Sequence, residues 1–252
     1  RRQRQMGIRD RDGLEPMSIN PVVGECNDSR INQIQKRVVG ADEVRQAFAS
    51  ASEEFEEGDV GAGAGTICYG LKGGIGSASR VIRIGEKEYT IGVLVQSNFG
   101  ATEDFVLNGE SVGAKILDWK QEKDDMAASE EDKGSIMSIL ATDLPLTSRQ
   151  LRRILRRTGV GIARTGGYTG HGSGEVMIGF TTANRIPSGA EEELLQIQAI
   201  PEHVINRAFL AAAEAEQEAI LNSMTAAERT RGQAGELYYS LSEYLEDQDS
   251  KQ

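Results

Sequence analysis

Apolar residues recur along this chain in two rhythms, and each change of rhythm marks an element. In DEVRQAFASASEEF, Val44, Phe48 and Phe55 stand at helical spacing and predict an amphipathic helix. The following stretch, GDVGAGAGTICYGLKGGIGSASR from Gly58 to Arg80, is too rich in glycine for a helix or an ordinary strand and predicts a backbone-shaped loop. RVIRIGEKEYTIGVLVQSNFG then predicts two strands joined at Gly85-Glu86-Lys87, the second buried on both faces through Ile91, Val93, Leu94 and Val95. WKQEKDDMAASEEDK, from Trp119 to Lys133, has no apolar rhythm and predicts a solvated, mobile tract. SIMSILATDLPL predicts a strand from Ser135. It feeds a helix in TSRQLRRILRRTGVGIART, whose stripe of Leu151, Ile154 and Leu155 follows a Thr or Ser cap. GEVMIGFTTA is a further strand, and PEHVINRAFLAAAEAEQEAILNSM is a long helix. Its alanine face of Ala208, Ala211, Ala212, Ala215 and Ala219 permits close packing on a flat layer. Hairpins and helices, without regular βαβ repeats, predict a layered α+β fold.

Composition narrows the function classes. The 252 residues are enough to bury a substantial core and predict one large domain. An excess of 39 Asp and Glu over 28 Lys and Arg gives a formal charge of -11, which repels phosphate backbones and anionic lipid and argues against nucleic acid or membrane as the main partner. Cys26 and Cys68 are too few for a disulfide framework, and the opening RRQRQMGIRDRDG lacks the apolar core of a secretory signal, so a cytoplasmic protein is expected.

Three constellations carry candidate chemistry. GAGAGT lacks the spacing of a dinucleotide loop, and Lys72 precedes Gly73 rather than Ser or Thr, so the glycines predict the wall of a site rather than a phosphate cradle. In TGGYTGHGSGEVMIGF, Ser173 and Glu175 stand at i and i+2 and project to the same side of a strand start, so hydroxyl and carboxylate can reach one point. Read locally, Ser-Gly-Glu also fits a solvated turn. His171 reads as a turn residue and has only His203 as companion, so no metal site is expected. The third constellation is Gly134-Ser135, where an acidic tract meets a buried strand. Cleavage there would give Ser135 a free α-amine, whose ordinary pKa of about 7.7 to 8.0 suits it as general base for its own hydroxyl. Gly134 permits the strained backbone of an N-to-O acyl shift.

GTICYGLKGGIGSASR, IGVLVQSNFG, KGSIMSILATDLPL, GIARTGGYTGHGSGEVMIGFTTA and FLAAAEAEQEAILNSM together resemble the autoprocessing aminopeptidases, which include L-aminopeptidase/D-Ala-esterase/amidase and the β-peptidyl aminopeptidases. The resemblance runs from about Pro21 to Leu241. It implies an αββα four-layer sandwich similar to N-terminal-nucleophile hydrolases, with an α chain of 1–134 and a β chain of 135–252 after self-cleavage. Ser135 is then the nucleophile, Ser173 and Glu175 its orienting partners, Asn98 the oxyanion donor and Tyr69 a residue beside the nucleophile. Glu57 is the expected anchor for the substrate's ammonium, with Glu56 as competitor. The implied substrates are short peptides, amides or esters with a free N-terminal amine, released through an acyl-enzyme without cofactor by a homo-oligomer of αβ units. Two departures stand out. The opening passes directly into INPVVGECNDSRIN, omitting the family's NAITDV and GVxVGH strands near Pro16-Met17-Ser18, and the ETxDxxLND pattern is altered to GECNDSRIN. Ornithine acetyltransferase-like acyl transfer is an alternative reading that Ser135 in place of threonine opposes. A catalytically inactive remnant is another, which the missing strands favour.

Overall fold

The computed structural model describes residues 22–123, 134–186 and 194–251. Helix α1 (Ala41–Ala49) opens with the Gly40 N–H donating to the Glu43 carboxylate at 2.7 Å. It is shorter than its apolar spacing predicts, for Phe55 lies beyond its end, and none of its residues is buried. Spacing alone made Val44 and Phe48 look like a core face; in the fold that stripe faces outward.

The glycine-rich stretch is more regular than expected. Strands β1 (Ile67–Cys68) and β2 (Leu71–Lys72) form an antiparallel hairpin whose turn residues, Tyr69 and Gly70, have φ of 51° and 69°, the left-handed pair that a tight hairpin needs. Residues 75–80 already belong to β3 (Ile75–Ile84), which pairs antiparallel with β4 (Lys87–Asn98). Glycine here serves close approach: a Cβ on Gly76 would lie 2.1 Å from the Ala219 carbonyl oxygen.

Strands β5 (Val106–Leu107) and β6 (Glu110–Ser111) precede helix α2 (Gly113–Glu122). Trp119 is a buried residue of α2, packed edge-on against Tyr239 and Tyr244, and not the start of a solvated tract; the rest of that tract, 124–133, lies outside the described residues. Strand β7 (Ser135–Thr142) pairs antiparallel with β4. Helices α3 (Ser148–Leu155), capped by the Thr147 hydroxyl, and α4 (Thr158–Arg164) lead to β8 (Gly174–Thr181), which runs parallel to β7. This βαβ crossover departs from the hairpin-only expectation, because the two helices carry the chain back to the end of the sheet where β7 begins. Helix α5 (Ile205–Thr225), hairpin β9 (Thr230–Arg231) with β10 (Leu237–Tyr238), and α6 (Leu241–Ser250) complete the described chain.

The main sheet has the order β3-β4-β7-β8. One face carries Val93, Val95, Ile136 and Leu140 and is covered by helices, with all five alanines of the predicted α5 face buried. Each fully buried branched side chain there contributes roughly 1.5–3 kcal/mol. Away from its Ser135 end, where Gln96, Met137 and Asn98 are buried, the other face is open among the described residues: Val81, Ile139, Val176 and Phe180 are exposed along it, Val81 at 62%. The fold is therefore α+β, a sheet layer with its helix layer; a second sheet of the expected sandwich is not among the described residues. No described helix is long and apolar enough to cross a membrane.

Candidate active site

Strand pairing brings the candidate residues to one end of the sheet. Because β4 runs against β7 and β8 runs with it, the last residue of β4 and the first residues of β7 and β8 meet: Asn98 pairs with Ser135, and Ser135 pairs with Gly174. Ser173 and Glu175 flank Gly174, and the Ser173 hydroxyl donates to Glu175 Oε1 at 2.6 Å. The two side chains thus meet each other. Paired residues share a face, so Ser135 and Asn98 project to the open face while Glu175, in register with Ile136, belongs to the helix-covered one. The Glu175 side chain therefore does not share a face with the Ser135 side chain.

Gly134 is fixed by lack of space: a Cβ on it would lie 2.0 Å from the Asn98 carbonyl oxygen. Its own carbonyl accepts from the Gly174 N–H at 3.1 Å. Asn98 is 7% exposed; its Oδ1 accepts from Ile67 N–H at 3.0 Å and its Nδ2 donates to the Asn27 carbonyl at 3.1 Å. An amide nitrogen has two protons, which leaves the second for an oxyanion. The acceptor bond depends on the β1–β2 hairpin, whose loop is held by the buried Lys72. Its Nζ donates to the carbonyls of Gly63 (2.9 Å), Thr66 (3.1 Å) and Gly73 (2.7 Å). Burial pushes the Lys72 amine down to about 8, with Asp59 opposing.

Tyr69 is fully buried at the hairpin turn, stacked on Phe105 with ring centroids 4.6 Å apart. Its hydroxyl lies 2.9 Å from Thr165 Oγ1. Thr165 uses its own proton on the Ile162 carbonyl at 2.8 Å, so Tyr69 is the donor. Glu57 is half-buried and accepts from the Ser77 hydroxyl; Glu56 is exposed. Ser77 pairs with Leu94, and Leu94 with Ile139. That places the Glu57 contact four residues along and two strands across from Ser135, about 14 Å by about 10 Å.

A nearer segment was missed by sequence reading. Cys26 Sγ lies 3.5 Å from the Ser135 carbonyl oxygen and 3.7 Å from that of Gln96, and burial raises its thiol pKa, so it remains protonated. With Asn27 on Asn98, residues 26 and 27 line the nucleophile's end of the sheet, and the exposed Glu25 precedes them. The altered GECND pattern marked this stretch, but its distance in sequence from Ser135 hid its role. Among the described residues no cluster of His, Cys, Asp or Glu could hold a metal ion.

Comparison with known proteins identifies the architecture. A profile described as Peptidase family S58 matches residues 3–238. The chain belongs to peptidase family S58. This S58 chain is 36% identical over 220 residues to the beta-peptidyl aminopeptidase BapA of Sphingosinicella xenopeptidilytica, a match covering 84% of the chain and 55% of the relative. Among solved structures, the PH0078 protein from Pyrococcus horikoshii OT3 superposes with a TM-score of 0.85 at 43% identity, covering 97% of the chain and 67% of that protein. The l-aminopeptidase d-ala-esterase/amidase from Ochrobactrum anthropi, described as a serine aminopeptidase and a variant of the Ntn hydrolase fold, gives 0.77 at 35% identity, covering 87% and 60%. The S58 chain thus spans just over half the length of the curated relative.

Proposed function

We propose that the chain is a self-cleaving serine aminopeptidase, active on short peptides, amides or esters with a free N-terminal amine. The observation that carries this reading is the register that sets Ser135 between Asn98 and Gly174, with the Ser173–Glu175 hydrogen bond at the same strand end. Cleavage between Gly134 and Ser135 frees the amine. Ser135 Oγ then attacks the substrate carbonyl while that amine takes its proton, the remaining Asn98 N–H receives the developing negative charge, and the amine protonates the leaving group. Water hydrolyses the resulting ester. Ser173 and Glu175 hold the amine. Tyr69, donating to Thr165, fixes the wall of the site behind the hairpin. No step requires a cofactor.

The substrate's ammonium needs a carboxylate, since a free amine and a buried or half-buried carboxylate pair by charge-assisted hydrogen bonds. Glu57, half-buried, is the sequence's candidate; Glu25 is exposed, but as the chain neighbour of the Cys26 that touches Ser135 it lies nearer the nucleophile. The test is p-nitroanilide hydrolysis with H-D-Ala, H-L-Ala and H-β-Ala and their acetylated forms, on wild type, Glu25→Gln and Glu57→Gln. We expect at least tenfold preference for free amines, lost in Glu25→Gln. Equal rates on free and acetylated substrates reject the amine anchor, and loss of preference only in Glu57→Gln returns the role to Glu57.

A further inference from the structure

The Ser-Gly-Glu sequence supplies two side chains to the reading above, and its middle residue supplies a main-chain group that the reading does not use. We propose that the Gly174 N–H is the oxyanion donor of the self-cleavage step, distinct from the Asn98 amide used on substrates. This rests on self-cleavage at Gly134–Ser135.

The geometry is specific to the bond that breaks. In the uncleaved chain the Gly134 carbonyl oxygen already accepts from Gly174 N–H at 3.1 Å. The parallel pairing of Ser135 with Gly174 fixes that N–H, and the backbone of Asn98 and Phe99 blocks the other side of Gly134, where a Cβ would lie 2.0 Å from the Asn98 oxygen. The Asn98 amide donates to the Asn27 carbonyl, and no bond from it to the Gly134 oxygen occurs among the described contacts. The scissile carbonyl is thus held in place with a donor on its oxygen. In the step, Ser135 Oγ forms a bond to the Gly134 carbonyl carbon, and negative charge collects on the oxygen facing Gly174. The C–N bond then breaks, the Oγ proton passes to the departing Ser135 nitrogen, and an ester with a free amine remains. Water adds to that ester, releasing the Gly134 carboxyl and returning a proton to Oγ. A donor set on the oxygen beforehand needs no reorganisation as the charge develops.

The test refolds the full chain and follows intact mass with time for wild type and a chain carrying glycolate at 174, whose ester oxygen replaces the N–H. Wild type should split into 134 and 252 - 134 = 118 residues. The glycolate chain should split about 10²- to 10³-fold more slowly, the loss expected for one oxyanion donor. A glycolate chain with native near-ultraviolet circular dichroism that splits as fast as wild type overturns the proposal. So does free hydrogen exchange at the Gly174 amide of the unsplit Ser135→Ala chain, a reading that stands even where the glycolate chain does not fold. A wild-type chain that never splits rejects self-cleavage itself, a separate outcome.

Discussion

Glu216 shows what a single buried carboxyl does to this protein. It is fully buried in α5; Oε1 accepts from the Ser138 hydroxyl at 2.5 Å, and Oε2 is without a hydrogen-bond partner. Burial raises its pKa to about 8 from an ordinary 4.5, with the Ser138 bond opposing. The folded state therefore holds a proton that the unfolded chain releases above about 4.5, so the stability from this group is full below that pH and falls as pH rises towards 8. Each unit is about 1.4 kcal/mol, and the whole effect is on the order of a few kcal/mol. Glu216→Gln should abolish the fall, so that urea midpoints of variant and wild type diverge between pH 5 and 8, the variant being more stable at 8. Parallel curves would show that the carboxyl titrates normally. Asn98 is the second residue of consequence. Asn98→Ala should lower turnover by roughly 10²- to 10³-fold. It should also cost about 1 kcal/mol of stability, because the Ile67 N–H and Asn27 carbonyl lose their partner. Unchanged kcat in a folded variant would make Asn98 a strut only.

At the scale of elements, the β1–β2 hairpin and the α5–sheet contact position the site. Three loop carbonyls share the Lys72 amine, and only the protonated form has three protons to give. Lys72→Met should take a donor from all three, the Gly63 and Thr66 carbonyls keeping bonds from Thr66 and the Gly73 N–H, and cost about 1–3 kcal/mol, visible as a fall of several degrees in Tm. An unchanged Tm would mean that the loop re-pairs with water. Gly76 on β3 allows α5 to seat directly on the sheet. In Gly76→Ala the new Cβ would meet Ala219 O at 2.1 Å and Ser223 N at 2.4 Å, backbone atoms on a helix held along its length. The substitution should destabilise by about 1–3 kcal/mol, measured by urea unfolding. A loss below a few tenths would show that the helix moves aside freely.

For the whole molecule, the open face decides how the chain behaves. Val81, Ile139, Val176 and Phe180 lie exposed on the same face as Ser135. Contiguous apolar area of this kind is unusual on a soluble surface, and the sandwich implied by the family would cover it with a second sheet. The 252-residue chain should therefore bind an apolar dye such as ANS, and Val176→Lys with Phe180→Lys should remove most of the signal. A chain that leaves the dye dark would have this face covered. Ser135 opens towards the same side, so the completeness of that layer sets the walls of the substrate site as well as the surface.

The strands from Ser135 and Gly174, the hairpin at Gly85-Glu86 and the alanine face of α5 were legible in sequence because each follows from neighbours within a few positions: alternation, turn residues, helical spacing. The candidate nucleophile was legible for the same reason, as an abrupt local change at Gly134-Ser135. Register was not. That Asn98 and Gly174 both pair with Ser135 depends on the antiparallel β4–β7 pairing and the parallel β7–β8 crossover, contacts between distant segments that no local pattern encodes. Spacing also misread α1, whose apolar stripe meets no core, and Trp119, which packs among tyrosines distant in sequence. Cys26 reaches the site across more than a hundred residues, and Lys72 looked like loop chemistry until its three carbonyls converged. Local chemistry determined which residues could act; packing between distant strands decided which of them meet.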